Sequence, residues 1–555
     1  MQKKLRETLA VAAQNAGVSD PEIEIEYPSD ITHGDLSCNV AMKYAKDMGK
    51  NPKELAEEIV GILGEIDGIE KIDIAGPGFI NFHFAGDYLS ENIGEILKKK
   101  EEWGKNESYA KQKLLIEHSS PNLFKPFHIG HLVNNSIGES VVRLAKNAGA
   151  EVTAISYPSD VSPGIAKAVW ALQDKKEFVI NDLGDAYVKG VKAYEEVPED
   201  KNAIDNINKD IYEKNPGKAF DVYNKGKEVS LNYFKYITKR LGSDIAQGDL
   251  IFESEAAQKG QEIVHKNVPS VFEESEGAVV FYGSRYGLFD NVFVNSAGFS
   301  TYLGKDIGLL EIKFSKYDFD KSITVTDIEQ KQHFQLVKKA AEMIDKKWAE
   351  KSEYIQHGRL QFSGGKISSR YGNVPLVEDL IDQVKKAVLP RSLEQVKDES
   401  KADEIAEQIA VAAIKYSIMK VSTGRNIVFD FDKSLSVEGD SGPYIQYTYA
   451  RAKAVVDKAA AENIQMNNDN VQKSDLARLL TRFPEIAARS AKEYEPHYVT
   501  NYVTELASTF NSWYAQEQIL DGTEKAGAKV AVAAAVAQTL KNGLWLLGIK
   551  APSRM

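Results

Sequence analysis

Two histidines and a lysine near position 130 are the side chains of this sequence best suited to chemistry on an anion. His128 and His131 flank Gly130 in the stretch 117–131, and Lys125 lies three residues before the first histidine. A strand-like run precedes the stretch and a helical pattern follows it. The N–H groups and positive potential of a helix N-terminus favour phosphate, and a glycine lets a flat ring approach the backbone. The pattern predicts a phosphate-binding site. The alternative is that the two histidines lie in a loop and have no functional role.

A second loop, residues 362–373, combines glycines, hydroxyl groups and two cations. Its candidate residues are Lys366, Ser368, Ser369 and Arg370. Backbone N–H groups of such a loop can surround phosphates, and its cations can neutralise a leaving group that develops negative charge. Loops of this composition are usually solvated turns, so the composition alone does not decide between these interpretations.

The elements around the histidines predict an α/β fold. The apolar run 114–116 reads as a buried strand, and the pattern over 132–147 reads as a helix. From about residue 112 strand and helix patterns alternate, which predicts a doubly wound, Rossmann-like domain. Helical, highly charged sequence interrupts the alternation at about 172–280, and we interpret it as an insertion. After about residue 376 the pattern is helical and shows no convincing strand.

Residues 1 to about 106 predict a separate small α+β unit. Its expected elements are a helix near 3–16, a strand over 23–27, a helix that begins at Asn51-Pro52 and a strand over 79–84. The sequence therefore predicts an N-terminal α+β domain over 1–108, a Rossmann-like domain over 109–375 and an all-helical domain over 376–555.

Composition restricts the class of protein. The 555 residues exceed a single ordinary core, and 43% hydrophobic with 27% charged residues are globular values. The single cysteine, Cys38, excludes an intrachain disulfide framework and favours a reducing cytosol. The apolar stretch 530–537 is too short to span a bilayer, so we expect no membrane contact. A net charge of −12 argues mildly against nucleic acid, although a local basic patch can dominate one face.

The histidine stretch resembles the HIGH signature of class I aminoacyl-tRNA synthetases, here His128-Ile129-Gly130-His131. The longer string Ser119-Ser120-Pro121-Asn122 through Lys125-Pro126-Phe127 is similar to the arginyl-tRNA synthetases in particular. The segment Lys366-Ile367-Ser368-Ser369 resembles the second class I signature, KMSKS, but has serine at the place of the second lysine. Many arginyl enzymes share this departure, and the resemblance implies that the lysine before HIGH, here Lys125, compensates for it.

The resemblance implies roles in ATP chemistry for the two signatures. The expected catalytic residues are His128, His131, Lys125 and Lys366, and the expected ATP-binding residues are Ile129, Gly130, Ser368, Ser369 and Arg370. Mg²⁺ is expected to arrive with ATP rather than on dedicated protein ligands. Asp160 matches a family aspartate, and the sequence does not indicate what it does.

The resemblance also assigns residues to the amino acid. A guanidinium has fixed N–H donors that fit carboxylates, and the resemblance gives it Glu117 and Asp306. Tyr302 is expected to stack on the guanidinium or hydrogen-bond to it. Tyr302 and Asp306 lie on one face if their segment is a helix. Asn122 is expected to bind the backbone end of the substrate. Gln330 is a candidate arginine contact, with a helix cap as the alternative role.

Two further parts of the chain resemble tRNA-binding domains. Residues 438–451 are similar to the start of the arginyl-type anticodon-binding domain, where Tyr444, Tyr447 and Arg451 are candidates for tRNA contact. Aromatic rings commonly stack on unpaired bases, but core packing explains a tyrosine cluster equally well. The N-terminal domain resembles the arginyl-specific domain that contacts the outer corner of the tRNA, although its sequence is not visibly basic.

Taken over almost the whole chain, the resemblance implies ATP-dependent joining of L-arginine to tRNA(Arg) through an arginyl-adenylate. It also implies a cytoplasmic monomer. Two alternatives stay open. A nucleotidyltransferase that makes a small cofactor shares the HIGH signature but leaves the helical C-terminal domain unexplained. A non-catalytic relative that binds RNA is disfavoured by the intact His128, His131 and Lys366.

Overall fold

The computed structural model describes residues 1–28, 30–363 and 376–555. The helices within these residues are α1 (Gln2–Asn15), α2 (Val40–Tyr44), α3 (Pro52–Leu63), α4 (Gly86–Lys99), α5 (Ile129–Asn147), α6 (Pro163–Leu172), α7 (Ile180–Glu196), α8 (Pro198–Glu213), α9 (Lys218–Arg240), α10 (Glu253–Lys266), α11 (Tyr302–Lys316), α12 (Lys331–Ile344), α13 (Lys346–Lys351), α14 (Val377–Gln395), α15 (Glu399–Met419), α16 (Phe431–Ser434), α17 (Gly442–Ala461), α18 (Asp475–Leu480), α19 (Phe483–Glu493), α20 (His497–Gln516) and α21 (Ala526–Leu546).

The strands form four sheets. They are β1 (Ile25–Glu26), β2 (Leu36–Cys38), β3 (Ile69–Ala75), β4 (Phe79–Phe84), β5 (Lys113–Glu117), β6 (Glu151–Ser156), β7 (Asp249–Leu250), β8 (Glu273–Ser275), β9 (Ala278–Phe281), β10 (Asn291–Val294), β11 (Lys321–Asp327), β12 (Ser352–His357), β13 (Leu360–Phe362) and β14 (Ile427–Phe429).

The chain divides into two compact units. Unit 1 comprises Met1–Trp103, Arg451–Phe483 and Ser508–Thr539, and unit 2 comprises Gly104–Ala450, Pro484–Ala507 and Leu540–Met555.

Unit 1 contains an antiparallel sheet with the strand order β1-β2-β4-β3. Helix α3 begins with a proline, and the side chain of Asn51 accepts a hydrogen bond from the backbone N–H of Lys53 at 2.9 Å, which satisfies one free donor of the first turn. Leu55 and Ile59 on its apolar face are fully buried. The predicted α+β pattern of this region is confirmed by the structure.

Unit 2 contains a parallel sheet with the strand order β12-β11-β5-β6-β7. The chain builds outward from β5 in one direction through β6 and β7, and then returns to build through β11 and β12 in the other. The order reverses between β5 and β11, and ligands of doubly wound folds bind beyond the carboxyl ends of the strands at such a point. The structure thus confirms the predicted α/β class.

Two close approaches between backbones fix the helices next to this point. A Cβ atom on Gly138 of α5 would lie 2.4 Å from Cβ of His118, the residue that follows β5. A Cβ atom on Gly308 of α11 would lie 1.9 Å from the carbonyl oxygen of Ala256 on α10. Only glycine leaves room for these contacts, so the sequence holds both helices tightly against their neighbours.

Short strands accompany the helices both in the range predicted to be an insertion and in the segment after residue 376. Helices α7, α8 and α9 account for the charged part of 172–280, but the same range contains β7, which is an edge strand of the parallel sheet, as well as β8 and β9. The segment after 376 contains β14, which pairs in parallel with β13. Strands of two to four residues show too little alternation to be recognised in a sequence.

Candidate active site

A cleft of about 480 Å³ opens at the carboxyl ends of β5 and β11. The predicted site residues that line it are Glu117, Asn122, His128, Gly130, His131, Tyr302, Asp306 and Gln330. They come from the end of β5, the start of α5, the start of α11 and the turn before α12. The fold therefore brings together side chains from distant parts of the sequence at the switch point of the sheet.

His128 and His131 are held by the first turn of α5. Nδ1 of His128 accepts the backbone N–H of Gly130 at 3.1 Å, and Nδ1 of His131 accepts the backbone N–H of His128 at 3.2 Å. The two rings stack with their centres 3.8 Å apart. Because Nδ1 of each ring is an acceptor, a neutral ring carries its proton on Nε2 and offers that nitrogen as a donor.

Burial keeps both rings neutral. It lowers the pKa of His128, with a smaller contribution from the Lys125 ammonium, and it lowers the pKa of His131 to well below the ordinary value. The histidines are therefore suited to donate hydrogen bonds to an anion rather than to neutralise it as cations. The ammonium group of Lys125 lies 3.8 Å from the centre of the Tyr187 ring, and Lys125 is not among the described residues that line the cleft.

The first acidic group of the cleft is Glu117, which is 6% exposed. Its Oε2 lies 2.6 Å from Nζ of Lys313 and accepts a hydrogen bond from the hydroxyl of Thr324 at 3.1 Å. Lys313 is almost completely buried on α11. Among the described residues no side chain or backbone group donates to Oε1 of Glu117, so one oxygen is committed and the other is available to a ligand.

The second acidic group is Asp306, which projects from the second turn of α11 into the same cleft. Its Oδ2 is bonded to Nε2 of His333 on α12, and in the described part of the chain Oδ1 has no such partner. Tyr302, one turn earlier on α11, is 64% exposed at the rim. The helix predicted for this segment is confirmed, and it places both side chains at the cleft.

Gln330 precedes α12 and lines the cleft, but its side chain makes no capping hydrogen bond to that helix. The alternative role of Gln330 as a simple helix cap therefore has no support in the structure. Asn122 is exposed in the loop after β5, where its backbone pairs with Ser159 in an isolated parallel bridge.

Three domain families match this chain along its length. The model described as "tRNA synthetases class I (R), catalytic domain" matches residues 92–431, "Arginyl tRNA synthetase N terminal domain" matches 1–84, and "DALR anticodon binding domain" matches 445–555. The chain belongs to the arginyl-tRNA synthetase family.

Individual family members are similar over the whole chain. The arginine–tRNA ligase of Lactobacillus acidophilus is 31% identical over 96% of this chain and 96% of its own length. That of Fusobacterium nucleatum is 29% identical over 96% and 95%. The solved arginyl-tRNA synthetase of Thermus thermophilus superposes with a TM-score of 0.82 at 25% identity, with full coverage of both chains.

Several residues of the cleft have no recognisable signal in the sequence. Asn134 on α5 donates to the carbonyl of Val325 at 2.7 Å and accepts the N–H of Ser119 at 2.6 Å, which ties α5 to both strands of the switch point. Glu253 at the start of α10 pairs with the buried Lys305 at 2.7 Å. Burial raises the pKa of Glu253, and the ammonium opposes that shift.

Asp160, whose role the sequence did not indicate, is fully buried and satisfied by the protein itself. Its carboxylate accepts hydrogen bonds from the backbone and the hydroxyl of Ser254 (both 2.8 Å), from Lys227 (2.7 Å) and from the Tyr223 hydroxyl (3.1 Å). These contacts join the start of α10 to α9. Asp160 therefore connects the loop after β6 to these two helices, and both of its oxygens already accept hydrogen bonds from the protein.

Residues of the second family signature, Lys366, Ser368, Ser369 and Arg370, lie outside the described residues. The structure does describe Leu376, which forms an isolated antiparallel bridge with His128, and the N–H of Val377 donates to the carbonyl of Phe127 at 3.0 Å. The chain that follows the second signature is thus hydrogen-bonded to the first one.

The candidate tRNA contacts lie on α17. Tyr444 is partly buried, and the exposed ring of Tyr447 lines a small cleft together with Met555. The guanidinium of Arg451 is hydrogen-bonded to Asn511 and lies 5.2 Å from the centre of the Tyr514 ring.

Among the described residues no helix is both long and apolar enough to cross a membrane, and no cluster of three or more His, Cys, Asp or Glu side chains could hold a metal ion.

Proposed function

We propose that the cleft beyond β5 and β11 is the site at which arginine and ATP react. As a member of its family the chain is an arginine–tRNA ligase, which uses ATP to join arginine to tRNA in protein synthesis. The observation that carries the assignment of the site is the juxtaposition, in one cleft, of the two acids with the two neutral histidines.

Glu117 and Asp306 bind the guanidinium of the substrate. Each acid has one oxygen held by a basic protein side chain and one oxygen without a described partner. Two free carboxylate oxygens on opposite helix and strand elements match the two N–H edges of a planar guanidinium, whereas a lysine ammonium cannot make such a two-sided planar contact. Tyr302 covers the site from the rim, and Gln330 and Asn122 contact the remainder of arginine.

His128 and His131 bind the ATP phosphates through their Nε2–H groups, and Gly130 and Ile129 form the turn that receives ATP. A carboxylate oxygen of arginine attacks the α-phosphorus, and the bond from that phosphorus to the bridging oxygen of the β-phosphate breaks, releasing pyrophosphate. The step depends on positioning and on charge stabilisation rather than on acid–base catalysis. A hydroxyl of the terminal tRNA ribose then attacks the arginyl carbonyl, and AMP leaves.

Lys125, Lys366 and Arg370 supply positive charge to the β- and γ-phosphates, and Ser368 and Ser369 hydrogen-bond to them. The bridge between Leu376 and His128 supports this role, because it attaches the chain after the second signature to the histidine turn. Mg²⁺ bound to the ATP phosphates would neutralise part of their charge. The carboxylates at the cleft have basic partners in the protein, which does not favour a dedicated cage.

The other domains bind tRNA(Arg). We place the N-terminal tRNA-contacting domain at 1–108, the catalytic domain at 109–375 and the anticodon-binding domain at 376–555, with Tyr444, Tyr447 and Arg451 on the tRNA-facing side. The matched family domains at 1–84 and 445–555 support this order. We further propose that the protein acts as a monomer in the cytoplasm.

The direct test is aminoacylation with labelled arginine, total tRNA, ATP and Mg²⁺. We expect the protein to attach arginine, but not lysine, to tRNA. A His128→Ala, His131→Ala double variant should bind tRNA normally and form almost no adenylate. Adenylate formation at the unmodified rate in that variant would refute the assignment of the cleft.

A further inference from the structure

A network of three buried side chains holds one oxygen of Glu117. Lys313 on α11 is 2% exposed, and Glu117 and Thr324 are 6% and 7% exposed. Nζ of Lys313 lies 2.6 Å from Oε2 of Glu117 and donates to the hydroxyl of Thr324 at 3.2 Å. That hydroxyl donates in turn to the same carboxylate oxygen at 3.1 Å. The contacts are therefore largely shielded from water, which strengthens them.

Lys313 sets the direction of these hydrogen bonds. An ammonium has three donors and no acceptor, whereas a threonine hydroxyl can donate or accept. Because Lys313 donates to Thr324, the hydroxyl is left to donate its own proton to residue 117. Both partners of Oε2 are thus donors, and the atom at this place must be an acceptor. Oε1 is left for the cleft, and among the described residues no group donates to it.

Helix α11 is connected in this way to both acids of the proposed arginine site. Asp306 projects from the helix directly, and Lys313 lies about two turns further along the same face. Glu117 belongs to β5 and contacts the helix through Lys313. One helix therefore orients two carboxylates that come from distant parts of the chain.

We propose that Lys313 is a positioning residue that fixes which atom of residue 117 faces the substrate, and that it thereby contributes to the selection of arginine. This proposal rests on the proposed function of Glu117 as a guanidinium ligand. With Oε2 held by donors, Oε1 faces an N–H edge of the guanidinium. The urea of L-citrulline has a similar shape but carries an oxygen in place of one NH2 group. Two acceptors would then face each other and leave buried oxygens unpaired, so citrulline is rejected.

Glu117→Gln tests the proposal, because an amide has one acceptor end and one donor end. Lys313 should hold the amide oxygen, so the NH2 group should face the cleft in place of Oε1. We expect the KM for arginine in tRNA charging to rise about tenfold to a hundredfold, since a charged hydrogen bond is lost. The inhibition constant of L-citrulline in the same assay should fall about tenfold, because the NH2 group donates to the urea oxygen.

The double variant Glu117→Gln, Lys313→Met removes the donor that directs the amide. Its amide can turn the oxygen towards the guanidinium, so the KM for arginine should be about tenfold lower than in Glu117→Gln alone. Replacement of a buried ion pair by neutral side chains of similar size is often neutral for stability. Glu117→Gln, Lys316→Met is the matched control, because Lys316 is exposed on the same helix. Its KM should equal that of Glu117→Gln.

The outcomes separate the arginine site from the role of Lys313. If Glu117→Gln leaves the KM for arginine unchanged, the proposed arginine site is wrong. If that KM rises and is equal or higher in the double variant, the arginine site stands and the role of Lys313 is refuted. A lysine that only stabilises the fold cannot restore a substrate contact when it is removed. The KM for ATP should be alike in all these proteins, and a parallel change in both constants would also overturn the positioning role.

Discussion

At the scale of single residues, the histidines of the HIGH signature are oriented so that a neutral ring offers its Nε2–H as a donor. Their Nδ1 atoms are occupied by backbone N–H groups of the helix turn, and burial lowers the pKa of both rings. A cationic role for these side chains would need the opposite pKa shift. In the proposed site, positive charge at the phosphates therefore comes from other residues, and Lys125 is the described candidate whose charge contributes to the lowered pKa of both rings.

Lys125→Ala should therefore slow adenylate formation about a hundredfold, because one charged donor to the transition state is lost. The affinity for tRNA should stay nearly unchanged, because the substituted side chain is proposed to bind the phosphates of ATP. Single-turnover adenylate formation and a tRNA-binding titration measure the two effects. Lys189→Ala, an exposed lysine on α7, is the control. Equal rates in Lys125→Ala and the control would end the idea that Lys125 compensates for the missing second lysine of the loop.

Asp306→Ala should raise the KM for arginine about tenfold to a hundredfold, the range expected for a lost hydrogen bond between charged groups. The KM for ATP should change much less, because His128 and His131 are left in place. Steady-state charging with each substrate varied in turn distinguishes the two constants. Parallel increases in both would instead mean that the carboxylate has only a structural role.

At the scale of elements, the site depends on how closely α5 approaches the end of β5. Gly138→Ala should lower the free energy of unfolding by about 1–3 kcal/mol, because the added Cβ meets the buried ring of His118. Gly61→Ala is the matched control, since a Cβ atom there meets open space on α3. That variant should be neutral or slightly more stable. Equal thermal denaturation midpoints for the two variants would contradict the packing argument.

A buried lysine on α15 makes a second prediction at this scale. Lys415 is fully buried, its ammonium donates to the carbonyl of Gly548 at 3.0 Å, and burial, together with Arg143, lowers its pKa to about 7. Above about pH 7 Lys415 is neutral in the folded protein but still protonated in the unfolded chain. The free energy of unfolding should therefore rise from about pH 7 towards pH 10.

Lys415→Met should lose this rise in the denaturation midpoint and be at least as stable as the unmodified protein near pH 7. Lys401→Met, an exposed lysine on the same helix, should keep it. A midpoint in Lys415→Met that follows the unmodified pH dependence would show that another group is responsible.

How much could be predicted from the sequence differs between these elements. Helix α5 and strand β5 are predictable because a buried apolar run and a helical period adjoin a recognisable signature. Tyr302 and Asp306 are assigned by the family resemblance, and their spacing adds only that both lie on one face of a helix. Lys313, Glu253 and Asn134 could not be recognised, because their partners Glu117, Lys305 and Val325 are set by strand order and helix packing. Strands β7 and β14 were missed because their hydrogen bonds, rather than their own residues, define them.

At the scale of the whole molecule, the chain combines a catalytic domain built on a parallel sheet with matches to the N-terminal and anticodon-binding domains of the arginyl-tRNA synthetases. The net charge of −12 is then compatible with a tRNA substrate, because binding depends on the local surface rather than on the chain average. Residues 445–555 are divided between the two compact units, so their removal would disturb both units and could not test tRNA binding separately from adenylate formation. Full-length variants are therefore the appropriate proteins for every assay.

We propose that the guanidinium of arginine lies between Glu117 and Asp306, and that the phosphate of the arginyl-adenylate faces His128 and His131. A crystal structure with a non-hydrolysable arginyl-adenylate analogue tests it most directly. We expect the guanidinium to be hydrogen-bonded to Oε1 of Glu117 and Oδ1 of Asp306, and the phosphate mimic to accept from Nε2 of the histidines. A guanidinium bound away from both carboxylates, with the analogue fully ordered, would contradict the account.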